Sequence, residues 1–484
     1  MRALARRLAA IALLLLLALF ALRAWQSTQG PRLQAWHKIV PTELDADDIR
    51  HADWNRYLAA ESRMFDQVHR DLQQKMKPED RTPINRYNDG SLASQMAFGQ
   101  DWNRSWMLMP VEQPRGVAVL LHGLTDAPYS MRSLAELYRS EGFIAIVPRM
   151  PGHGTVPAGL TREGRKEWEA TVEMAMAEAT RRAGGRLPVH LVGYSNGGAL
   201  ALLHVMRRIS NGERSDVQRI VLLSPMIEVN AFARYAGLAG VPAFFTRYAQ
   251  SAWLDVLPEF NAFKYNSFPV RAARESYLVT SDLQAAMEAV VARRAMGQVP
   301  PILAFQSVVD DTVTAQAVMT RVFDRLPANG SELVLYDVHR GRVIDPILRP
   351  TATAWIRNAF KLPRNYTLTI IGTASENDPA AVARSRPAGS SDIQARPLGV
   401  SYPGDLYSLS HVALPFPAED PLYGNRPSGL RVLQLGNVAV RGERNTLAVS
   451  QDSLNRLTWN PFYADMAARI EATITASERG TSSP

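Results

Sequence analysis

The spacing of hydrophobic and polar positions changes twice along the chain. Up to about residue 100 it is helical. In PTELDADDIRHADWNRYLAAESRMFDQVHRDLQQKM, Trp54, Leu58, Phe65 and Val68 fall on one face, and YNDGS at 87–91 marks a turn. From residue 105 continuous apolar runs take over. GVAVLLHG (116–123), FIAIV within 143–154, PVHLVGY ahead of Ser195, RIVLLSP (219–225), PPILAFQS within 300–311 and ELVLYDV (332–338) read as buried strands. Helical patterns at 130–142, 167–185, 198–212 and 314–326 lie between them, several closed by Gly. Strands alternating with such helices predict an α/β protein with a mostly parallel sheet and helices on both faces.

The alternation pauses at 226–299, a helical, aromatic-rich insertion between two strands. An insertion there lies above the strands' C-terminal ends, where open α/β sheets bind ligands, so a lid is expected. A helix at 346–360 and a strand at YTLTIIGT come next. Residues 374–399, rich in Ala, Ser, Pro and Asp, read as a loose loop, 401–425 as irregular, and about 460–477 as a closing helix. The expected divisions are 1–30, 31–104, a core at 105–362 and an extension at 363–484.

Charge and composition add a location. Arg2, Arg6 and Arg7 precede fifteen apolar residues, Leu8 to Leu22, followed by Arg23 and Trp25. With snorkelling and interfacial help this run suits a membrane anchor. Small residues in A-x-A spacing are missing after it, which favours an uncleaved anchor over a signal peptide. The charge asymmetry sends the remainder out of the cytoplasm. The chain has 484 residues, no cysteine and a net charge of +8. Disulfides, thiol catalysis and Cys-ligated zinc are excluded. No dense Lys/Arg block lies beyond the N-terminus, so no nucleic-acid partner is expected.

Candidate chemistry centres on LVGYSNGGAL. Gly193, Ser195 and Gly197 spell G-x-S-x-G where a strand meets a helix. A turn there thrusts the serine hydroxyl above the sheet and aims the backbone N–H of Asn196 at a developing oxyanion. A serine needs a base, and in this arrangement an acid and then a histidine follow it along the chain. SVVDDTV offers Asp310 and Asp311. Asp310 is preferred, three residues before the apolar Val313. Of nine histidines, His204 lies in the helix that Ser195 opens, and only His339 and His411 lie downstream of the resumed sheet. His339 follows a strand directly but is flanked by Arg340 and Arg342. His411 lies in LYSLSHVALPF, a loop free to fold back over the sheet.

LLHGLTDAPYSMRSLAELYRSEGFIAIVPRMPGHGT (120–155) and GYSNGG resemble the α/β-hydrolase family, in its monoacylglycerol lipase and serine-esterase branch. The resemblance implies an α/β-hydrolase fold with a helical lid insertion and a C-terminal extension. It also implies hydrolysis of carboxylic esters without cofactor or metal, and Leu124 as second oxyanion N–H donor. The family's usual Gly-His pair after the last strand is missing. SLSHVALPF…DPLYG resembles a tail segment of longer, membrane-anchored bacterial relatives that supply the histidine late, which selects His411. The expected site is therefore Ser195, Asp310 and His411, on the periplasmic side of a bacterial inner membrane. Phe244, Phe245, Tyr248 and Trp253 favour a small ester with an apolar acyl group. Amide or peptide cleavage on the same scaffold, and a non-catalytic membrane-tethered binding protein, are the alternatives.

Overall fold

The apolar runs pair into one ten-stranded sheet. Its strands are β1 (Trp106–Leu108), β2 (Gly116–Leu121), β3 (Phe143–Val147), β4 (Val189–Tyr194), β5 (Arg219–Leu223), β8 (Ile302–Ser307), β9 (Glu332–Tyr336), β10 (Thr367–Ser375), β11 (Asp378–Arg386) and β12 (Gln394–Ser401). A two-stranded ribbon, β6 (Trp253–Asp255) with β7 (Phe268–Pro269), stands apart in the insertion. The architecture comes from a computed structural model. It describes residues 28–228, 246–342, 345–426, 428–438, 447 and 449–481, with scattered positions among the first 27.

Strand order is β1-β3-β2-β4-β5-β8-β9-β10-β11-β12. From β3 through β10 every pairing is parallel, whereas β1 at one edge and β11 and β12 at the other run antiparallel. Alternate residues face opposite layers, as the pleat requires. Val119, Leu121, Leu191, Leu222 and Leu335 pack under the helices Arg165–Ala183, Asn196–Ser210 and Val270–Ala292. Leu120, Val192, Leu223, Phe305 and Tyr336 face Arg132–Ser140 and the closing helix Tyr463–Thr481. Phe462, Met466, Ile470 and Ile474 recur every four residues along that closing segment and are all buried.

Two local expectations are corrected. Residues 374–399 hold most of two strands rather than a loose loop. Val382 in β11 pairs with Pro397 in β12, and the small Ala381 and Ala383 are buried against the sheet. Their Ala/Ser/Arg/Pro composition has weak strand propensity. Pairing with the buried β10 supplies what propensity lacks. Residues 346–360 form short helical pieces, Asp345–Ile347, Pro350–Thr353 and Ala354–Asn358, instead of one helix. Pro350 opens the second piece and keeps Arg349 extended, which separates it from the first.

Within 363–484, β10 continues the parallel sheet and the closing helix covers one face. The segment 31–104 docks through the helix Trp54–Lys75, whose Trp54, Tyr57, Met64, Phe65, Val68 and Leu72 are buried. Trp253 packs with Trp36, Phe65 and Val68 and stands edge-on to His37 at 4.8 Å, so it serves this docking. Phe244 and Phe245 lie outside the described residues, as does most of the apolar run 8–22. Among the described residues no helix is long and apolar enough to cross a membrane.

Candidate active site

Ser195 sits between β4 and the helix Asn196–Ser210 with φ 53° and ψ −116°. For a residue with a Cβ such a conformation costs ~1–3 kcal/mol, so its surroundings must impose it. The Ser195 N–H donates to the Leu223 carbonyl at 2.9 Å. Its own carbonyl accepts from the N–H groups of Gly198, Ala199 and Met226. The flanking glycines leave room for neighbouring backbone. A Cβ on Gly193 would collide with the Gly197 carbonyl, and one on Gly197 with the Leu121 and His122 carbonyls.

The acid and the late histidine meet across 101 residues. His411 Nδ1 lies 2.7 Å from Asp310 Oδ2, with both side chains buried. Oδ2 also accepts from the Gln306 amide at 2.9 Å. Oδ1 accepts from the backbone N–H groups of Thr312 and Val313 at 2.8 and 3.1 Å. Burial pushes the Asp310 carboxyl up, but His411 and these donors outweigh it and hold its pKa below the usual value. Asp311, next door, is exposed. The His411 ring packs 5.4 Å from that of Tyr194, the residue before Ser195. His339 goes elsewhere. Its ring stacks on Tyr402 at 5.1 Å, and its N–H donates to the Tyr407 carbonyl.

The loop after β2 abuts the serine: a Cβ on Gly123 would lie 3.2 Å from that of Ser195. Among the described residues no acceptor pairs with the N–H of Leu124 or of Asn196. His122 anchors this loop. Its Nε2 accepts from the Met150 N–H at 3.0 Å, so its Nδ1–H donates to the Gly123 carbonyl at 2.9 Å. Burial lowers its pKa to about 3, which keeps it neutral. A cavity of about 740 Å³ opens on Asp310 and His411, bordered by Val338, Leu409, Arg349 and Arg456. Among the described residues no cluster of three His, Asp or Glu side chains is placed to hold a metal ion.

Sequence reasoning missed Lys264 and Asp126. Lys264, from the insertion, donates to Thr125 Oγ1 at 2.9 Å, the Leu124 carbonyl at 3.4 Å and Asp126 Oδ2 at 3.3 Å. Its neighbour Tyr265 donates its N–H to the Thr125 carbonyl at 2.9 Å. Thr125 has φ 64°, so this clamp holds a strained turn. The one signal in the sequence was the position of Asp126, two residues past Leu124. Lys264 has no periodic context to mark it. Lys264→Met is expected to lower kcat for an ester by about 10²-fold with little change in KM, because only the loop's N–H placement suffers. Lys264→Arg should recover part of the loss. A change confined to KM would show that Lys264 does not position the loop.

A parallel sheet carrying a strained serine turn, with helices on both faces, defines the α/β-hydrolase fold. Residues 112–340 match the family described as serine aminopeptidase, S33 (Hydrolase_4). A thermostable monoacylglycerol lipase of Bacillus sp. (strain H-257) is 28% identical over 179 residues. That match covers 37% of this chain and 66% of the lipase, just under two thirds of its length. Among solved structures, a soluble variant of monoglyceride lipase from Saccharomyces cerevisiae is similar at 16% identity and a TM-score of 0.36. The match covers 53% of this chain and 89% of that one. A highly thermostable carboxyl esterase from Bacillus coagulans, in complex with glycerol, is similar at 12% identity and a TM-score of 0.37, covering 52% and 93%. The family and lipase matches support an α/β-hydrolase, esterase-like family.

Proposed function

We propose that this chain hydrolyses carboxylic esters through an acyl-enzyme on Ser195. The observation that carries the reading is the His411–Asp310 contact at 2.7 Å, beside the turn that bears Ser195. His411 Nε2 takes the proton from the Ser195 hydroxyl as its oxygen attacks the ester carbonyl. The Leu124 and Asn196 N–H groups stabilise the oxyanion, a contribution of about 3 kcal/mol for each donor. Asp310 holds the ring and balances its positive charge. His411 then returns the proton to the departing alcohol, and water repeats the sequence to free the acid. The lipase similarity favours an ester with an apolar acyl group. The run 8–22 would anchor the chain, with the catalytic part on the periplasmic side of a bacterial inner membrane.

The family description raises aminopeptide cleavage as a second reading. A substrate with a free N-terminus brings an ammonium group that a buried site must neutralise. Asp126, beside Gly123 in the loop after β2, is already paired with Lys264 and so is not free to do this, whereas Asp311 and Asp405 line the cavity over His411. A fluorophosphonate probe tests the enzyme reading. Labelling of the wild-type chain, abolished by Ser195→Ala, is expected. Folded wild-type protein that takes no label would instead be a binding module. Faster turnover of an amino-acid p-nitroanilide than of a p-nitrophenyl ester would favour the peptidase.

A further inference from the structure

The apolar run near the N-terminus has no cover from the rest of the protein where it is described. Leu4, Leu8, Ile11, Leu14 and Leu22 are between 50% and 65% exposed. A run apolar on every side in sequence, and exposed at the described positions, calls for an apolar environment. Where the chain leaves this run, the Gln250 amide holds the carbonyls of Gly30 and Pro31. Two adjoining cavities open at this point.

The first, about 310 Å³, is bordered by Arg32, Lys38, Lys75 and Lys77, with Asp80 as its lining carboxylate. Arg32 pairs with Asp80 at 2.8 Å and Glu79 at 3.7 Å, Lys77 with Glu79 at 3.8 Å, and Lys75 with Asp71 at 3.5 Å. Among the described residues Lys38 has no carboxylate partner. These pairs are partly exposed and weak, so an incoming anion can compete for the cations. The second cavity, about 670 Å³, runs between Pro31, Trp36 and Ile84 on one side and Val256, Leu257 and Pro258 of the insertion on the other. Gln34 and Asp80 border both cavities. Glu79 and Glu259 also line the second; Glu79 is paired with Arg32 and Lys77, and the Glu259 carboxylate accepts from the N–H groups of Asn266 and Ser267.

Two polar groups here lack partners. Trp36 is only 4% exposed, yet its indole N–H has no acceptor among the described residues, and Gln34 Oε1 has no donor. A buried unpaired donor is costly, and the ester carbonyl at the root of an acyl chain would satisfy the indole. A basic pocket thus adjoins, across the shared Gln34 and Asp80, a groove lined by Trp36 and apolar side chains, as an amphiphile's headgroup adjoins its chain.

We propose that the two cavities form one binding site for an anionic phospholipid of the bilayer that the N-terminal run enters. The phosphodiester lies among Arg32, Lys38, Lys75 and Lys77, and an acyl chain lies along Trp36, Ile84 and Leu257. The proposal rests on the anchor reading and is independent of the chemistry at Ser195. The full chain, placed in phosphatidylcholine nanodiscs carrying a photoactivatable phosphatidylglycerol, provides the test. Cross-links are expected in the peptides around 31–39 and 254–259. The double variant Lys38→Gln/Lys77→Gln should lower their yield by about tenfold, and Ser195→Ala should leave it unchanged. Labelling of 8–22 reports the anchor separately. The proposal fails if label stops at 8–22, if a photoactivatable phosphatidylcholine labels both peptides equally well, or if the double variant labels like wild type. Loss of labelling in millimolar inorganic phosphate would identify an anion pocket rather than a lipid site.

Discussion

His411→Ala is expected to lower kcat for a short-chain p-nitrophenyl ester by about 10⁵–10⁶-fold, whereas His339→Ala should stay within about threefold of wild type. The two histidines share residue type and downstream position, but their surroundings differ. His411 touches Asp310, whose other oxygen is held by two backbone N–H groups and whose pKa is held low, so its negative charge is fixed where an imidazolium would form. His339 has Tyr402 stacked on its ring, and among the described residues its buried Nδ1 has no partner. Among the described residues no acid meets the His339 ring to orient it as a base. Asp310→Asn should fall by about 10⁴-fold, less than His411→Ala, and the double variant scarcely further than His411→Ala, because residues acting as a unit are not additive. Measuring kcat and KM for all four variants checks this. Lost activity in His339→Ala with activity kept in His411→Ala would sink the assignment.

The reason His411 was hard to read in the sequence is physical. A strand that is buried on both faces must be apolar throughout, so β2, β4, β5 and β8 declare themselves in the one-dimensional pattern. Gly193 and Gly197 do so too through their G-x-S-x-G spacing, although only Gly193 makes room for the turn itself, while Gly197 makes room for the Leu121 and His122 carbonyls. The histidine is different. Its loop, 101 residues beyond Asp310, is placed by tertiary packing alone: Val412 and Phe416 enter an apolar cluster with Tyr129 and Phe263. No periodicity encodes that contact, and only the resemblance of the tail segment singled out His411. The same holds for Lys264, which meets Thr125 from 139 residues away. It holds again for β11 and β12, which owe their form to the strand beside them rather than to their own composition.

Arg149→Met is expected to destabilise the protein by about 3–5 kcal/mol, the largest effect anticipated away from the serine. Arg149 is 1% exposed and joins two buried carboxylates of the N-terminal segment to the loop after β3. Its guanidinium grips Glu43 through two nitrogens at 2.9 and 2.8 Å and Glu61 through Nε at 2.8 Å. It also donates to the carbonyls of Met150 and His153. Burial pushes the Glu61 carboxyl up, with Arg149 the main opposing influence, so removing the cation leaves Glu61 harder still to ionise. Arg149→Lys should rescue little, because an ammonium cannot reproduce the planar fork. Removing all three charges, as in Arg149→Met/Glu43→Leu/Glu61→Leu, should recover only part of the loss. The carboxylates also accept from the N–H groups of Gly152 and Ser105, and those donors would then be buried without partners. Urea denaturation of the four proteins checks the order: wild type highest, then the triple variant, with Arg149→Lys and Arg149→Met lowest. An Arg149→Met midpoint equal to that of wild type would mean that the apolar face of Trp54–Lys75 alone holds the N-terminal segment to the core, and that the buried ions serve only to fix its register.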